Sequence, residues 1–485
     1  MGGSTGRAGI AQGASAPVGR HAELLRRLNE KIGSKAVLAG DDVGERYRGD
    51  ATDEPGERPV IVFRPANTTE VSAILAECNR LRQPLVIQGG RTGLAGGARP
   101  RPGEVSISLE RMVGLSPVDE NAATIIAEAG VTLQAVQDAA AARGLFFGVD
   151  IGARGTSTVG GNVATNAGGI RVLRYGMYRS QVLGLEAVLA DGSILTSLKG
   201  LPKDNSGFDL NQLFIGTEGV LGVVTRACLR LHPEPRSQAN AFCALPSLSA
   251  AVALLKHLRS ALGPSLSAFE VIFPNVYDGI LSLSGAQPPV AAGAGMYALV
   301  EMQGQHESDD DVRFSEALMA CYESGIVTDV SLSQSQREYH AIWKLREAAS
   351  EFIFSMDNVS GFDVSLPLTS MQAFIDVASR EITALDRDAE IYVFGHLGDG
   401  NLHFLVRSHH HARVADITLS TVIRADGAIS AEHGIGVEKK KWLPLGRSEA
   451  EMEAMRRLKA AFDPNTILNP GRVFDMMSPS VSECA

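Results

Sequence analysis

Hydrophobic positions between residues 59 and 150 switch between two periods. "VIVF" (60–63) is an apolar run of strand length, and Val71, Ile74 and Leu75 then recur at helical spacing. Asn67 stands where that helix needs a cap, with Glu70 three residues on, a capping-box-like start. "LVIQ" (85–88) reads as the next strand and runs straight into "GGRTGLAGGA". A second cycle follows: strand "TIIAEA" (124–129), a helix over 133–143, then "LFFGVD". The glycine-rich "GTSTVGGNVATNAGG" (155–169) precedes an expected strand "GLEAVLADGSIL", and "LFIGTEGVLGVVTRACLRL" (213–231) closes this β-α-β region.

At "HPEPRS" the character changes, which marks a domain boundary. Beyond it the pattern predicts an amphipathic helix over 249–262, strands over 266–273 and 295–303, and a helix over 336–356. The strand "FDVSLP" (362–367) and a helix over 369–385 follow, and Ser448 with Glu451 opens a last helix through about residue 461. No repeat of solenoid length is present.

Composition narrows the class. At 485 residues the chain exceeds one ordinary core, so two or three domains are expected. A 45% apolar and 21% charged make-up is that of a water-soluble globular protein. The net charge of −10, with both signs interspersed, argues against a nucleic-acid partner. Five scattered cysteines (78, 228, 243, 321, 484) show no CxxC spacing, which fits a reducing compartment better than a disulfide framework, a zinc ribbon or an iron–sulfur cluster. No apolar run of about 18 residues is present, so no membrane span is expected. Residues 1–20 carry two arginines, no acid and no hydrophobic signal core; they read as a flexible tail, with a transit peptide as the alternative.

Glycine changes the picture most: 51 residues, concentrated in Gly89–Gly97, Gly152–Gly169 and Gly216–Gly222. Loops of this kind bring backbone N–H groups close to phosphates without side-chain obstruction. No Walker loop and no GxGxxG occurs, so a nicotinamide site is unsupported, while a dinucleotide site of another type, with Asn162, Thr165 and Asn166 as side-chain partners, remains. Taken singly, such loops are mere turns.

The second chemical signal is "FGHLGDGNLHF" (394–404). A two-residue turn at Asp399-Gly400 pairs Leu397 with Leu402 and His396 with His403, placing two imidazoles about 4.5–5.5 Å apart at Cβ. "SAEHGIGVEKKKW" (430–442) adds Glu432 and His433 between residues that permit an irregular backbone. Imidazoles plus a carboxylate are a usual catalytic set for a divalent ion. The run His409-His410-His411 reads as solvated, because three consecutive side chains converge poorly. Arg346, on the expected helix "WKLREAASEF", is either an exposed guanidinium or a bidentate clamp for a substrate carboxylate.

Six segments in this order, "QGGRTGLAGGA", "GTSTVGGNVATNAGG", "LFIGTEGVLGVVT", "GHLGDGNLH", "SAEHGIG" and "LNPGRVF", resemble the FAD-linked oxidases of the vanillyl-alcohol-oxidase type. The resemblance spans about residues 40 to 475. It is greatest to the branch containing D-2-hydroxyglutarate dehydrogenase, D-lactate dehydrogenase and the glycolate oxidase catalytic subunit. It implies an α+β fold: a tail over 1–20, a two-subdomain FAD-binding domain over 21–235, an α+β substrate or cap domain with an antiparallel sheet over 236–425, and a segment over 426–485 that completes the active site and returns to the FAD domain.

By the same resemblance, Gly89, Gly90, Arg91, Thr92, Gly93 and Gly97 wrap the FAD pyrophosphate. Gly160, Gly161, Asn162, Thr165, Asn166 and Gly169 contact flavin and phosphates, Glu218, Gly219, Gly222 and Val224 edge the adenine and ribose, and Asn469 returns to the flavin. The first loop has no histidine, so the FAD is expected to be noncovalent. His396, His403 and Glu432 are implied to hold a divalent ion, zinc first with manganese or iron as alternatives, with His433 as base and Arg346 offsetting the carboxylate charge.

The activity so implied is oxidation of a D-2-hydroxy acid to the 2-oxo acid, with electrons leaving to a quinone, a cytochrome or an electron-transfer flavoprotein. The setting is the cytoplasm, or the mitochondrial matrix in a eukaryote, and a homodimer is compatible with it. Two positions depart from the hydroxyglutarate enzymes: Gly361 stands where they carry lysine, and Leu405 where they carry asparagine. Both losses favour a substrate without a second carboxylate. The competing readings are a flavin-free metallohydrolase and a catalytically silent subunit of a larger oxidase.

Overall fold

The computed structural model describes residues 17–52, 54–285 and 287–476. Residues 1–16 of the expected tail, with the transit-peptide alternative, lie outside these. Residues 17–20 already belong to the helix Pro17–Ile32, so the tail is shorter than expected: Leu24 and Leu28 are fully buried and pin that helix to the first domain.

Strands β1 (Val37–Ala39), β2 (Ile61–Phe63), β3 (Leu85–Gln88) and β4 (Val105–Ser108) form one sheet in the order β1-β2-β4-β3. β2, β4 and β3 are parallel, as the β-α-β reading requires, and the helix Thr68–Arg80 covers them with Val71, Ile74 and Leu75 buried. Its cap is the one expected: the Asn67 side chain accepts from Glu70 N at 2.9 Å.

A second sheet comprises β5 (Thr124–Glu128), β7 (Val182–Val188), β8 (Ile194–Thr196) and β9 (Val223–Arg230), while the short β6 (Leu145–Phe146) pairs with β10 (His232–Pro233). The single strand expected over "GLEAVLADGSIL" is in fact β7 and β8, antiparallel, because Asp191-Gly192 turns the chain: Gly192 has φ +89° and the Asp191 carboxylate accepts from Ser193 N.

The remaining strands build a seven-stranded antiparallel sheet. They are β11 (Ser237–Leu245), β12 (Leu266–Ile272), β13 (Met296–Gly304), β14 (Asp329–Leu332), β15 (Val359–Ser365), β16 (Glu390–His396) and β17 (Asn401–Arg407), ordered β14-β11-β13-β12-β16-β17-β15. Helices Leu248–Leu262, Glu307–Glu323, Met371–Leu385 and His411–Arg424 bury one face through residues such as Leu258, Phe314, Phe374 and Val422. The other face is apolar at one end, under helices Pro274–Ser284 and Gln336–Phe354, and carries a stripe of buried acids and histidines where the first domain docks.

A buried ion pair fastens that docking. Arg171 of the first domain donates to Glu301 of β13 through Nε and Nη2 at 2.9 and 3.0 Å, and through Nη1 to Asp150 at 2.7 Å. Glu301 also accepts from Trp343 Nε1, Ser267 Oγ and the Tyr339 hydroxyl. Burial alone would push the Glu301 carboxyl up, but Arg171 outweighs it and holds it below the usual carboxylate range. Arg171→Met leaves this acid without its counter-charge and should destabilise the protein by about 3–5 kcal/mol, read as a lower urea midpoint. An unchanged midpoint would show that the pair contributes nothing to docking.

Candidate active site

The antiparallel register lines up the polar stripe. Glu270 of β12 lies opposite His396 of β16, and on the next row Phe394 lies opposite His403 of β17, which lies opposite Asp363 of β15. Residues two apart on a strand share a face, so Glu270, His396, His403 and Asp363 all project to the side facing the first domain. Leu402, Phe404 and Val364 project the other way into the core.

The hairpin therefore corrects one expectation. His403 is opposed by Phe394 and not by His396, because the chain reverses over 397–400: a 3-10 turn Leu397–Asp399 followed by Gly400 at φ +83°. Asp399 drives this wider turn by accepting from Asn401 N at 3.2 Å, and the Gly398 carbonyl is held by Arg259. The two imidazoles still share a face as diagonal neighbours, with ring centroids 5.1 Å apart and planes at 84°.

Each histidine has its own acid. His396 Nδ1 is 2.7 Å from Glu270 Oε1, and Arg346 Nε donates to Glu270 Oε2 at 2.8 Å. Arg346 is thus a buried partner of Glu270, with Cζ 4.8 Å from the Phe394 ring centroid. Burial disfavours charge on His396, but the Glu270 carboxylate more than compensates and raises its pKa to about 9. The stripe therefore attracts positive charge. His403 goes the other way: burial, then the neighbouring His396, hold it well below the usual histidine range.

Asp363 organises the rest. Only 3% exposed, it accepts from Glu432 N at 2.8 Å and His433 N at 3.2 Å, fixing the loop that carries both residues. Its carboxylate oxygens lie 3.8 Å from Nδ1 of His403 and of His433. Burial favours its neutral form, yet His433, Lys439 and His403 together hold it below the usual aspartate range. Glu432 reaches back to His396, Oε1 to Nε2 at 3.8 Å, and accepts from Gly169 N at 2.9 Å. The expected ligands His396, His403 and Glu432 and the expected base His433 are all brought together. Donor atoms of Asp363, Glu432 and His433, rather than of the expected trio His396, His403 and Glu432, lie within 4.8 Å of one another. Asp363 was missed by sequence reasoning, although its strand was not.

The glycine clusters converge on the far side of Glu432. Cβ atoms on Gly89 and Gly90 would meet Thr158 Oγ1 at 2.7 Å and Thr156 O at 2.1 Å, so the first and second clusters are in direct backbone contact. Gly93 and Gly161 have room for a Cβ, the nearest atoms lying at 3.8 and 3.4 Å, while Arg91 Nη1, 3.8 Å from Glu110 Oε2, and Thr158 Oγ1 are buried without a hydrogen-bond partner among the described residues. Glycines with room beside them and buried donors without a hydrogen bond fit a diphosphate-bearing cofactor.

Most of the other expected cofactor residues have partners within the chain. Gly160 packs against Ala129, Gly222 against Phe214, and Val224 is buried in the core of the second sheet. Asn162 donates weakly to Ser157 Oγ, Thr165 to its own helix at Gly161 O, and the Asn166 side chain accepts from Arg179 N. Asn469 accepts from Ile87 N and donates to Glu218 O, and Gly219 lies beside both Ile87 and Asn469. Thr92 makes no hydrogen bond among the described residues and is partly exposed beside Gly93.

A parallel-sheet domain with converging glycine loops, docked on an antiparallel sheet bearing histidines and acids, defines a two-domain flavoprotein oxidoreductase. Residues 59–197 match the family "FAD binding domain" and residues 234–473 match "FAD linked oxidases, C-terminal domain". The chain is 37% identical over 443 residues to a D-2-hydroxyglutarate dehydrogenase of Xanthomonas citri pv. viticola, covering 89% of this chain and 92% of that protein. It is 36% identical to a putative mitochondrial D-lactate dehydrogenase of Schizosaccharomyces pombe, covering 93% and 88%. Among solved structures, p-cresol methylhydroxylase with substrate bound superposes with a TM-score of 0.77 at 16% identity over 97% of this chain and 99% of that one, a likeness of fold. The chain belongs to the FAD-linked oxidase family of the vanillyl-alcohol-oxidase type and is an FAD-dependent enzyme acting on CH–OH donors. Family membership sets aside the flavin-free hydrolase.

Proposed function

We propose that the protein oxidises a D-2-hydroxy acid to the 2-oxo acid and passes the electrons to an external acceptor, a quinone, cytochrome or electron-transfer flavoprotein. The observation that carries this is the junction at Glu432. One carboxylate faces His396 of the polar stripe and takes the amide of Gly169 from the glycine clusters, so the acid-binding face and the flavin cradle meet there.

The donor set fits a divalent ion. His396 presents Nδ1 to an acid and leaves Nε2 toward Glu432, the arrangement that orients metal-binding imidazoles. His403 is held neutral, and Asp363 Oδ1 is buried without a hydrogen-bond partner. His396, His403 and Glu432, with Asp363 behind them, would hold zinc, manganese or iron. When bound, FAD would supply a hydride acceptor for C2, and a divalent ion would supply a Lewis acid for the substrate hydroxyl.

The chain's own residues do the rest. His433 takes the hydroxyl proton, with Asp363 behind it to orient the ring and stabilise its charge. Arg346, locked by Glu270, turns its remaining N–H groups to the substrate carboxylate. Chelation followed by gel filtration should abolish flavin reduction while the flavin absorbance stays, and manganese or zinc should restore it. Full activity after verified metal removal would reject the ion.

The next row of the sheet bears on the substrate. Tyr392, Leu405 and Gly361 lie opposite one another, beside Phe394, His403 and Asp363. A Cβ on Gly361 would sit 3.7 Å from Leu405 Cδ2, and Phe352 stacks edge-on against Tyr392 at 5.6 Å. This floor is apolar, so a lactate-like or aliphatic acid is favoured over a dicarboxylate. The double change Gly361→Lys with Leu405→Asn should raise kcat/KM for D-2-hydroxyglutarate relative to D-lactate by about ten-fold or more. A wild type that already prefers the dicarboxylate would overturn the assignment. We place the enzyme in the cytoplasm, or in the matrix of a eukaryote, in keeping with four buried free cysteines among the described residues. No helix among the described residues is long and apolar enough to cross a membrane.

A further inference from the structure

We infer that Glu218 is a positioning residue for the hydroxy-acid site: its carboxylate occupies a backbone nest at residues 434–436 and so holds the Glu432–His433 loop against the flavin-binding domain. Glu218 lies in the third glycine cluster, where a cofactor contact is the natural expectation. The geometry puts its side chain to another use. Oε1 accepts from Ile435 N at 2.7 Å and Oε2 from Gly436 N at 2.8 Å, so each oxygen has its own amide. Successive amides converge on one anion when turn conformations flank them, and here Gly434 and Gly436 stand on either side of Ile435 at φ +80° and +52°.

The fit excludes side chains. A Cβ on Gly434 would lie 2.8 Å from Glu218 Cδ, and one on Gly436 would lie 1.9 Å from Ala95 O. "GIG" in the catalytic loop and "GTEG" in the third cluster are thus two halves of one joint. Among the described residues no ion pair within 4.0 Å holds Glu218; the two amides do, with the Lys439 ammonium adding attraction from farther away.

The joint is braced from both sides. Glu218 itself takes φ +52°, with its N–H donated to Ala164 O and its carbonyl accepting from Asn469 Nδ2, whose Oδ1 accepts from Ile87 N. Beyond the nest, Val437 N and Glu438 N both donate to Ala95 O in the first glycine loop. On the opposite side Asp363 holds the amides of Glu432 and His433. The short loop therefore hangs between two acids, one on the substrate sheet and one on the flavin domain. Losing Glu218 removes the hold on Ile435 and Gly436, leaves the Ala95 carbonyl as the flavin-side anchor, and lets Glu432 and His433 drift, while the flavin cradle keeps its own contacts.

This role rests on the activity proposed above, and two readouts separate them. Hydrogen exchange on FAD-loaded wild type, Glu218→Gln and Glu218→Ala reports the joint without any substrate: exchange across 433–438 should quicken by about ten-fold or more in the alanine variant, with peptides over 85–92 unchanged. The limiting rate of flavin reduction by D-lactate should fall by about 10–100-fold in the alanine variant, with FAD affinity within about two-fold of wild type. Glu218→Gln keeps one acceptor oxygen for one amide and should recover part of both, which also serves if the alanine variant does not fold. Unchanged exchange over 433–438, or FAD affinity lost together with a normal reduction rate in excess FAD, would overturn the role. A wild type that no D-2-hydroxy acid reduces would instead defeat the proposed activity and leave the exchange result to decide Glu218.

Discussion

His433→Ala should slow flavin reduction by at least about two orders of magnitude while the protein still purifies yellow, because positioned proton transfer typically contributes ~10²–10⁴ in rate. The side chain is 30% exposed, and its Nδ1 lies 3.8 Å from Asp363 Oδ2. Being partly exposed, the side chain should cost little stability on removal. Its backbone amide, held by Asp363, survives the change, and the loop keeps its course. Stopped-flow bleaching at saturating substrate is the measurement. A near-normal limiting rate would remove His433 from the proton path.

Asp363→Ala should be comparably severe, for a different reason. It deletes the acceptor for two loop amides and the buried charge facing His403 and His433 at once. Loss of a residue that orients ligands costs about 10–100-fold in metal affinity or activity, and here loop anchoring is lost as well. Calorimetric titration of manganese into the FAD-loaded variant should show weakened binding, and bleaching should slow in parallel. Asp363→Asn separates the two effects, since it keeps an acceptor for the loop amides without the charge. It should fold as wild type and still be slow. Wild-type manganese affinity and rate in both variants would show that Asp363 serves only the fold.

Much of this was legible in the residues, and the failures share a cause. Periodicity found the helices starting near 68, 133, 336 and 449 and the capping box at Ser448 and Glu451, because each is a local pattern read from one face. It missed Asp363, Glu270 and Glu301. Alternation in a strand assigns a polar residue to solvent, but the second face of this sheet is covered by two helices and by another domain, so all nine positions of β13 are buried, Glu301 included. The histidine hairpin was found with its turn wrong. Asp-Gly signals a reversal, but it does not count the residues in it; Asp399 widened the turn through its own side chain. The two amides that Glu218 holds were not legible, because they lie more than two hundred positions away in sequence.

Anaerobic mixing of the FAD-loaded, metal-replete enzyme with D-lactate, L-lactate and D-[2-²H]lactate tests the central claim most directly. The expected result is full bleaching of the flavin by the D acid, a primary isotope effect on its rate, and no bleaching by the L acid. Flavin that stays oxidised with D-lactate and other D-2-hydroxy acids, or that the L acid bleaches as fast, would contradict it.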